Sequence, residues 1–422
     1  MMQKQQLRKE KSVSVTEKIC VFLLAMGPIL QHYVGLFVSA SISLLLIMLP
    51  YVGIKLLHTG KFKPSRLSFI LPLIILFFYE VAAHGTNVTE LGQAVVFSLY
   101  FLAIAAGCLS TEYFVKAITV ISAAASICII IQYFCYYILG FHLQVVPTSL
   151  LLERSEQWVL LAQTGRVSVT GKPISFYRPS AFFLEPSHMF IYMFSPLMIH
   201  LLAKEFTKKR LCISILLTVG MICSTSGMGI AAAAGTWLLF LGKNSKTNNR
   251  LDIRKFFRPR SALILLTLIV FAAGLFAFVP FFRNSVLRVI GSGDDYKNAV
   301  SGRLDGGLSV LDDLKGLKLF FGIADDTEAV NVNLTGFTSE MYRYGIIGTL
   351  ISYVFYVQSL LRLKNQYFWV AALAVIMSFF SQHSHSSFFM LYCAFTFMEG
   401  FRQTQLANES TPTLPKTATI NR

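Results

Sequence analysis

Apolar and polar positions along this chain alternate in long blocks. Apolar runs recur at about 19–34, 36–57, 67–83, 91–110, 117–139, 187–203, 211–242, 261–282, 337–361, 367–383 and 386–401. Most approach the roughly 20 residues that a helix needs to cross the hydrocarbon core of a bilayer. The run 211–242 is too long for one crossing, and basic residues flank both of its ends. Equal flanks on one side require an even number of crossings, and Ser224-Thr225-Ser226-Gly227 divides the run in two. The pattern predicts an all-α, polytopic membrane protein of about twelve transmembrane helices within 19–401. A basic N-terminal segment (1–18) precedes them. A polar tail (402–422) with Pro412 and Pro415 follows, and its composition predicts disorder. The basic start, the first apolar run and Val38-Ser39-Ala40 have the outline of a signal peptide. Hydrophobicity resumes at Ile42, so a retained first helix is expected.

Two long polar loops interrupt the blocks, at 140–186 and 283–336. Within the second, Ser301 can cap an amphipathic helix from Gly302 to about Lys315, with Leu304, Leu308, Leu311 and Leu314 as its apolar stripe. Repeats of 20–50 residues are absent, and the loops fall unequally in the two halves, against a duplicated transporter.

Hydrophobic residues make up 55% of the chain and charged ones 14%. A soluble domain carries nearer a quarter charged residues. The formal charge is +16, which in a soluble protein would point to nucleic acid. Here most Lys and Arg gather in 1–18, 55–66, 204–210 and 243–260. With the N-terminus in the cytoplasm and strict alternation, all of these share the cytoplasmic side, as does the C-terminus, and both long loops face out. That is the positive-inside pattern, so the charge reports topology and no nucleic-acid partner is expected.

The seven cysteines lie in apolar stretches without a C-x-x-C pair. They read as small hydrophobes, and neither zinc nor a disulfide framework is expected. His383 and His385 in the last outer turn read as polar turn residues. The chain has no G-x-x-x-x-G-K-[ST], no D-x-D and no G-x-S-x-G, which speaks against a P-loop ATPase, metal-bound sugar nucleotides and a hydrolase elbow. No metal or cofactor is expected. Ionisable residues are scarce mid-span, with Glu80 near the outer end of the third helix, and this disfavours ion-coupled transport.

The conspicuous chemistry is Tyr177-Arg178-Pro179-Ser180-Ala181-Phe182-Phe183-Leu184-Glu185-Pro186-Ser187-His188, at the junction of the first long loop and a helix. Arg178 precedes proline and should be extended. Pro179 can open a short helix through Leu184. Pro186 suits the first helical position, which puts Glu185 at the N-cap. The outward helix start carries free N–H groups and a partial positive charge. The stretch admits two readings. In one, Glu185 caps the helix and pairs with Arg178 to pin the loop. In the other, Arg178 binds phosphate and Glu185 or His188 handles a proton. Arg303, in the first turn of the second-loop helix, sits at the wrong end for the dipole, which suggests an anionic partner. That partner is Asp305, Asp312 or Asp313, or a ligand.

Arg178-Pro179-Ser180-Ala181-Phe182-Phe183-Leu184-Glu185-Pro186-Ser187-His188 resembles the R-x-S-x-x-F-x-E-P-x-H stretch of the bacterial O-antigen and exopolysaccharide polymerase family, relatives of the O-antigen ligases. Ser224-Thr225-Ser226-Gly227, Ser301-Gly302-Arg303, Phe321-Gly322-Ile323 and Tyr344-Gly345-Ile346-Ile347-Gly348 resemble further stretches of that family, mainly over 178–348. Arg154…Gly165 fits an R-x(10)-G pattern of some members. Arg283, Arg288 and Arg303 do not repeat it in the second loop. That loop also lacks the histidine of the ligases, which favours polymerase over ligase.

The resemblance implies glycosyl transfer between polyprenyl-pyrophosphate-linked repeat units at the outer face of a bacterial inner membrane. No cofactor takes part. Membrane lipid is the surroundings, and a chain-length regulator and a flippase are candidate protein partners. Arg178, Glu185, His188 and Arg303 are the implied catalytic residues. Arg154, Arg166, Arg283, Arg288 and Arg343 are the implied substrate-binding residues. A ligase and a lipid-glycan flippase are the alternative activities.

Overall fold

The computed structural model describes residues 13–36, 39–59, 62–84, 88–146, 148–152, 177–244, 308–312, 314–323, 334–381 and 386–409, with a few isolated positions between 246 and 283. The helices are α1 (Val15–Leu30), α2 (Ala40–Thr59), α3 (Pro64–His84), α4 (Val88–Ala106), α5 (Thr111–Tyr137), α6 (Pro186–Leu201), α7 (Lys208–Cys223), α8 (Gly227–Asn244), α9 (Leu317–Phe321), α10 (Gly336–Arg362), α11 (Asn365–Phe380) and α12 (Ser387–Glu409). A two-residue antiparallel pair, β1 (Lys246–Thr247) with β2 (Arg250–Leu251), follows α8. The expected span 261–282 and most of both long loops lie outside the described residues.

Local chemistry starts several of these helices. Ser14, Ser110 and Thr207 accept from the backbone N–H three residues on, and Thr335 and Thr338 form a reciprocal capping box before α10. The expected division of 211–242 is present. Ser224 Oγ donates to Met221 O at 2.7 Å, and Thr225 takes a φ of 63°. Ser226 Oγ then accepts from Gly229 N at 3.3 Å, which opens α8.

Among the described residues, five helices are long and apolar enough to cross a membrane: Ala40–Thr59, Pro64–Ala83, Val88–Ala106, Thr111–Tyr137 and Gly336–Arg362. With its 27 residues, α5 provides about 40 Å of helix. The outward faces of these helices are apolar. Leu71, Ile75 and Phe78 form a stripe on α3, and Leu350, Val354, Val357 and Leu361 form one on α10, where Leu350 is 62% exposed. Contiguous apolar surface of this kind needs lipid rather than water around it. The chain is a multi-pass helical membrane protein.

At the centre stand α6 and α12, apolar all round and therefore enclosed. Every residue from Phe388 to Phe401 is buried. Tyr392 Oη donates to Tyr192 O at 2.7 Å, and Tyr192 Oη donates to Ala25 O at 2.8 Å. These bonds satisfy phenols that would otherwise be costly to bury, and they tie α12 to α6 and α6 to α1. α12 also packs on α4 and α5, while α3 packs on α4 and α10.

The contacts between helix ends fall into two sets. At one end lie the ion pairs Lys55–Glu17, Arg402–Glu399 and Arg402–Glu112, and Lys243 Nζ donates to Leu202 O and Ala203 O. Glu399 is 1% exposed and accepts from Thr111 Oγ1 at 2.7 Å, Arg402 Nε at 2.8 Å and Gln403 Nε2 at 2.9 Å. These bonds extend α12 to Glu409, so the start of the tail, expected to be disordered from 402, is helical.

Candidate functional site

The opposite end of the bundle carries the polar chemistry. Residues 177–185 approach α6 as turns and bends, without the short helix expected between Pro179 and Leu184. Tertiary partners take the backbone groups that such a helix would use. Gln132, buried on α5, accepts from Ala181 N at 2.9 Å and donates to Leu143 O at 3.2 Å. Tyr33 Oη donates to Phe182 O at 2.9 Å, and Tyr137 Oη donates to Tyr177 O at 3.0 Å. Ala181 adopts a φ of 53°, a left-handed turn that an L-residue takes at a cost and that these bonds hold in place. Burial pushes the Tyr33 phenol up to about 12 and raises that of Tyr177, so both stay protonated donors. His142 stands edge-on to Tyr177 at 4.7 Å, and burial lowers its pKa.

Glu185 is the N-cap of α6 and Pro186 its first residue, as expected. The Glu185 side chain makes no capping bond. It accepts instead from Ser187 Oγ at 2.9 Å, so the capping part of the structural reading does not hold. Arg178 is half-buried beside it in the chain. His188 is 7% exposed and stacks on His32, from the turn after α1, with centroids 5.0 Å apart and planes at 13°.

Gln31, next to His32 in the chain, lines a cavity. The cavity holds about 300 Å³ between α3, α4, α10 and α12. Its polar wall comprises Glu80, Glu90, Arg343, Gln31 and Gln93, and its apolar wall includes Phe77, Phe97 and Phe388. Glu80 Oε1 accepts from Arg343 Nη2 at 3.2 Å and from Tyr344 Oη at 3.1 Å. The Arg343 guanidinium also lies over the Tyr344 ring, 5.3 Å from its centroid. Glu340, on the same part of α10, is 1% exposed.

Arg343 is held by a kink in α10. Gly345 has φ 61° and ψ −167°, which interrupts the helix. The carbonyls released there find partners: Tyr79 Oη donates to Tyr344 O at 2.8 Å, and Ile323 N donates to Tyr342 O at 2.8 Å. The segment after α9 lies directly on the kink. A Cβ at Gly322 would meet Arg343 O at 2.1 Å, and one at Gly345 would meet Phe320 C at 2.4 Å. Both positions need glycine for φ and for the close approach. Two stretches singled out in the sequence, Phe321-Gly322-Ile323 and Tyr344–Gly348, are thus one unit.

In the second loop, Leu311 and Leu314 pack with Val310, Leu334 and Tyr342, whereas Leu308, assigned to the stripe, is 54% exposed. Arg283 is exposed. Arg154, Arg166, Arg288, Arg303, His383 and His385 lie outside the described residues. Sequence reasoning did not select His32, Gln31, Glu90 or Gln93. The polar pair Gln31-His32 near the end of the apolar run 19–34 was the signal that could have marked those two.

Among the described residues, no group of three or more His, Cys, Asp or Glu could hold a metal ion. The chain matches no protein-family model and no curated relative.

Proposed function

We propose that this protein joins lipid-linked oligosaccharide repeat units at the outer face of the bacterial inner membrane. The observation that carries this reading is the presence of arginine, carboxylate and imidazole side chains at one end of an apolar bundle. Arg178, Glu185 and His188 arrive on the α6 approach, His188 stacks on His32, and Gln31, next to His32 in the chain, lines the cavity beside Arg343. In the reaction, an acceptor hydroxyl attacks the anomeric carbon of the donor sugar. The new glycosidic bond forms as the bond to the lipid pyrophosphate breaks, and the pyrophosphate leaves with the electron pair. The hydroxyl proton passes to a carboxylate or imidazole, in the role of Glu185 or His188. Arg178 and Arg303 act on the leaving group, because a guanidinium grips phosphate oxygens as a fork and keeps its charge.

Chain parity supports twelve crossings with both ends in the cytoplasm. α8 ends beside Leu202 and Ala203 at the basic end, and α10 starts at the cavity end. The twelve-crossing reading assigns one crossing to the apolar run 261–282. Reporter fusions should place Thr164 and Lys315 outside and Asn248 inside.

The deciding experiment gives purified protein in detergent micelles its lipid-linked repeat units without ATP or an ion gradient. A ladder of polymer supports the reading. Folded protein that makes no polymer favours a flippase. Transfer of glycan to a lipid acceptor without lengthening favours a ligase.

A further inference from the structure

We infer that the cavity between α3, α4, α10 and α12 is a subsite for a neutral, polyhydroxylated ring, a sugar residue of the acceptor, and that the phosphate binds elsewhere. The assignment to the acceptor rests on the polymerising reading. The preference for a sugar rests on the cavity itself.

Charge decides first. Arg343 is the cation in the wall, and Glu80 already holds it, with Tyr344 Oη on the same carboxylate oxygen. Glu90 adds a second carboxylate, so among the described lining residues there is one more negative group than positive. A pyrophosphate would meet net repulsion there. Metal ions lack ligands, since no suitable group of three exists among the described residues.

The remaining chemistry suits a pyranose. Glu90 accepts only, whereas Gln93 both donates and accepts, and neither is hydrogen-bonded to another described residue. Further along the same face of α4, Phe97 meets Phe77 at 5.3 Å and Phe388 at 5.2 Å, which builds an apolar wall for the C–H face of a ring. A volume of about 300 Å³ lies at the small end of ligand pockets and has room for a terminal ring rather than a chain.

The test uses the full chain in lipid nanodiscs free of glycoside detergent, with saturation-transfer NMR on methyl glucoside, methyl galactoside and methyl N-acetylglucosaminide. At least one glycoside should bind saturably. Glu90→Leu and Gln93→Leu should each weaken it tenfold or more while circular dichroism and gel filtration stay unchanged, and excess inorganic pyrophosphate should not displace it. The inference is overturned if no glycoside saturates, if both variants bind like the parent, or if pyrophosphate or calcium competes. Polymer formation with glycoside binding indifferent to Glu90 and Gln93 sinks this subsite and leaves the polymerase reading standing. Glycoside binding that depends on them, without polymer, upholds the subsite and removes the polymerase reading.

Discussion

His32 and His188 stack face to face with ring centroids 5.0 Å apart, and so join the turn after α1 to the first turn of α6. The contact gives His188 a packing role and leaves open a chemical one, and the two are separable. His188→Phe keeps a flat ring of similar size and should cost less than about 1.5 kcal/mol of stability. If the imidazole carries a proton during turnover, the same variant should lower the rate about a hundredfold or more. Thermal unfolding and polymerisation assays on one preparation check both. Full activity in His188→Phe would assign the residue to packing.

Arg178 is tested by charge against geometry. Arg178→Lys keeps the cation and loses the planar fork, so it should still reduce turnover. Arg178→Ala should reduce it about a hundredfold or more with folding intact, the usual cost of losing an aligned donor to developing charge. A fully active lysine variant would rule out bidentate binding. An active but unstable alanine variant would make Arg178 a loop anchor.

The kink beneath Arg343 depends on two glycines. Gly322→Ala and Gly345→Ala combine a positive φ with backbone atoms at 2.1 Å and 2.4 Å, so each should cost about 2–4 kcal/mol or abolish folded yield. Gly140→Ala has a φ of 73° with nothing within 4 Å, and should cost only about 1–2 kcal/mol. Comparing the three by thermal unfolding separates backbone strain from overlap.

At the other end of the bundle, Glu399 depends on Arg402. Arg402→Met strands a buried carboxylate and should destabilise by about 3–5 kcal/mol. Adding Glu399→Gln removes that charge, keeps a carbonyl acceptor for Gln403 and turns an amide donor to the Thr111 hydroxyl, which can accept, so it should recover most of the loss. Denaturant titration of the single and double variants measures the recovery. Equal instability in both would show that the charge is not the cause.

His142 provides a pH dependence with a definite sign. Its ordinary pKa is 6.5, and burial lowers it in the folded protein. As pH falls below about 6.5 the unfolded chain takes up the proton first, so stability is complete above that value and declines below it until the folded histidine also protonates. Melting temperature should therefore fall modestly between about pH 7 and about pH 5, and His142→Phe should flatten the slope. An unchanged slope would place the acid sensitivity in other groups.

Helices were legible in the sequence because the physics behind them is local. An apolar run seeks lipid whatever its neighbours do, which is why the runs 67–83 and 117–139, the start at Pro186 and the break at Ser224–Gly227 could be read from single stretches, whereas the polar first turns from Pro64 and Thr111 were taken as connectors. The Glu185–Pro186 cap followed from proline's fixed φ alone. Where distant partners compete for backbone groups, local reading failed. Gln132, Tyr33 and Tyr137 hold residues 177–182 out of the helix that Pro179 suggested, and Arg402's bonds to Glu399 and Glu112 carry α12 into a polar tail. The site shows the same division. Arg178, Glu185 and His188 stood out as ionisable groups in an apolar chain, whereas nothing local to Glu80, His32 or Gly322 names Arg343, His188 or Gly345 as its partner. Those pairings exist only once the helices pack. Hydrophobicity then decides which faces meet, and close approach decides which residues can stand there.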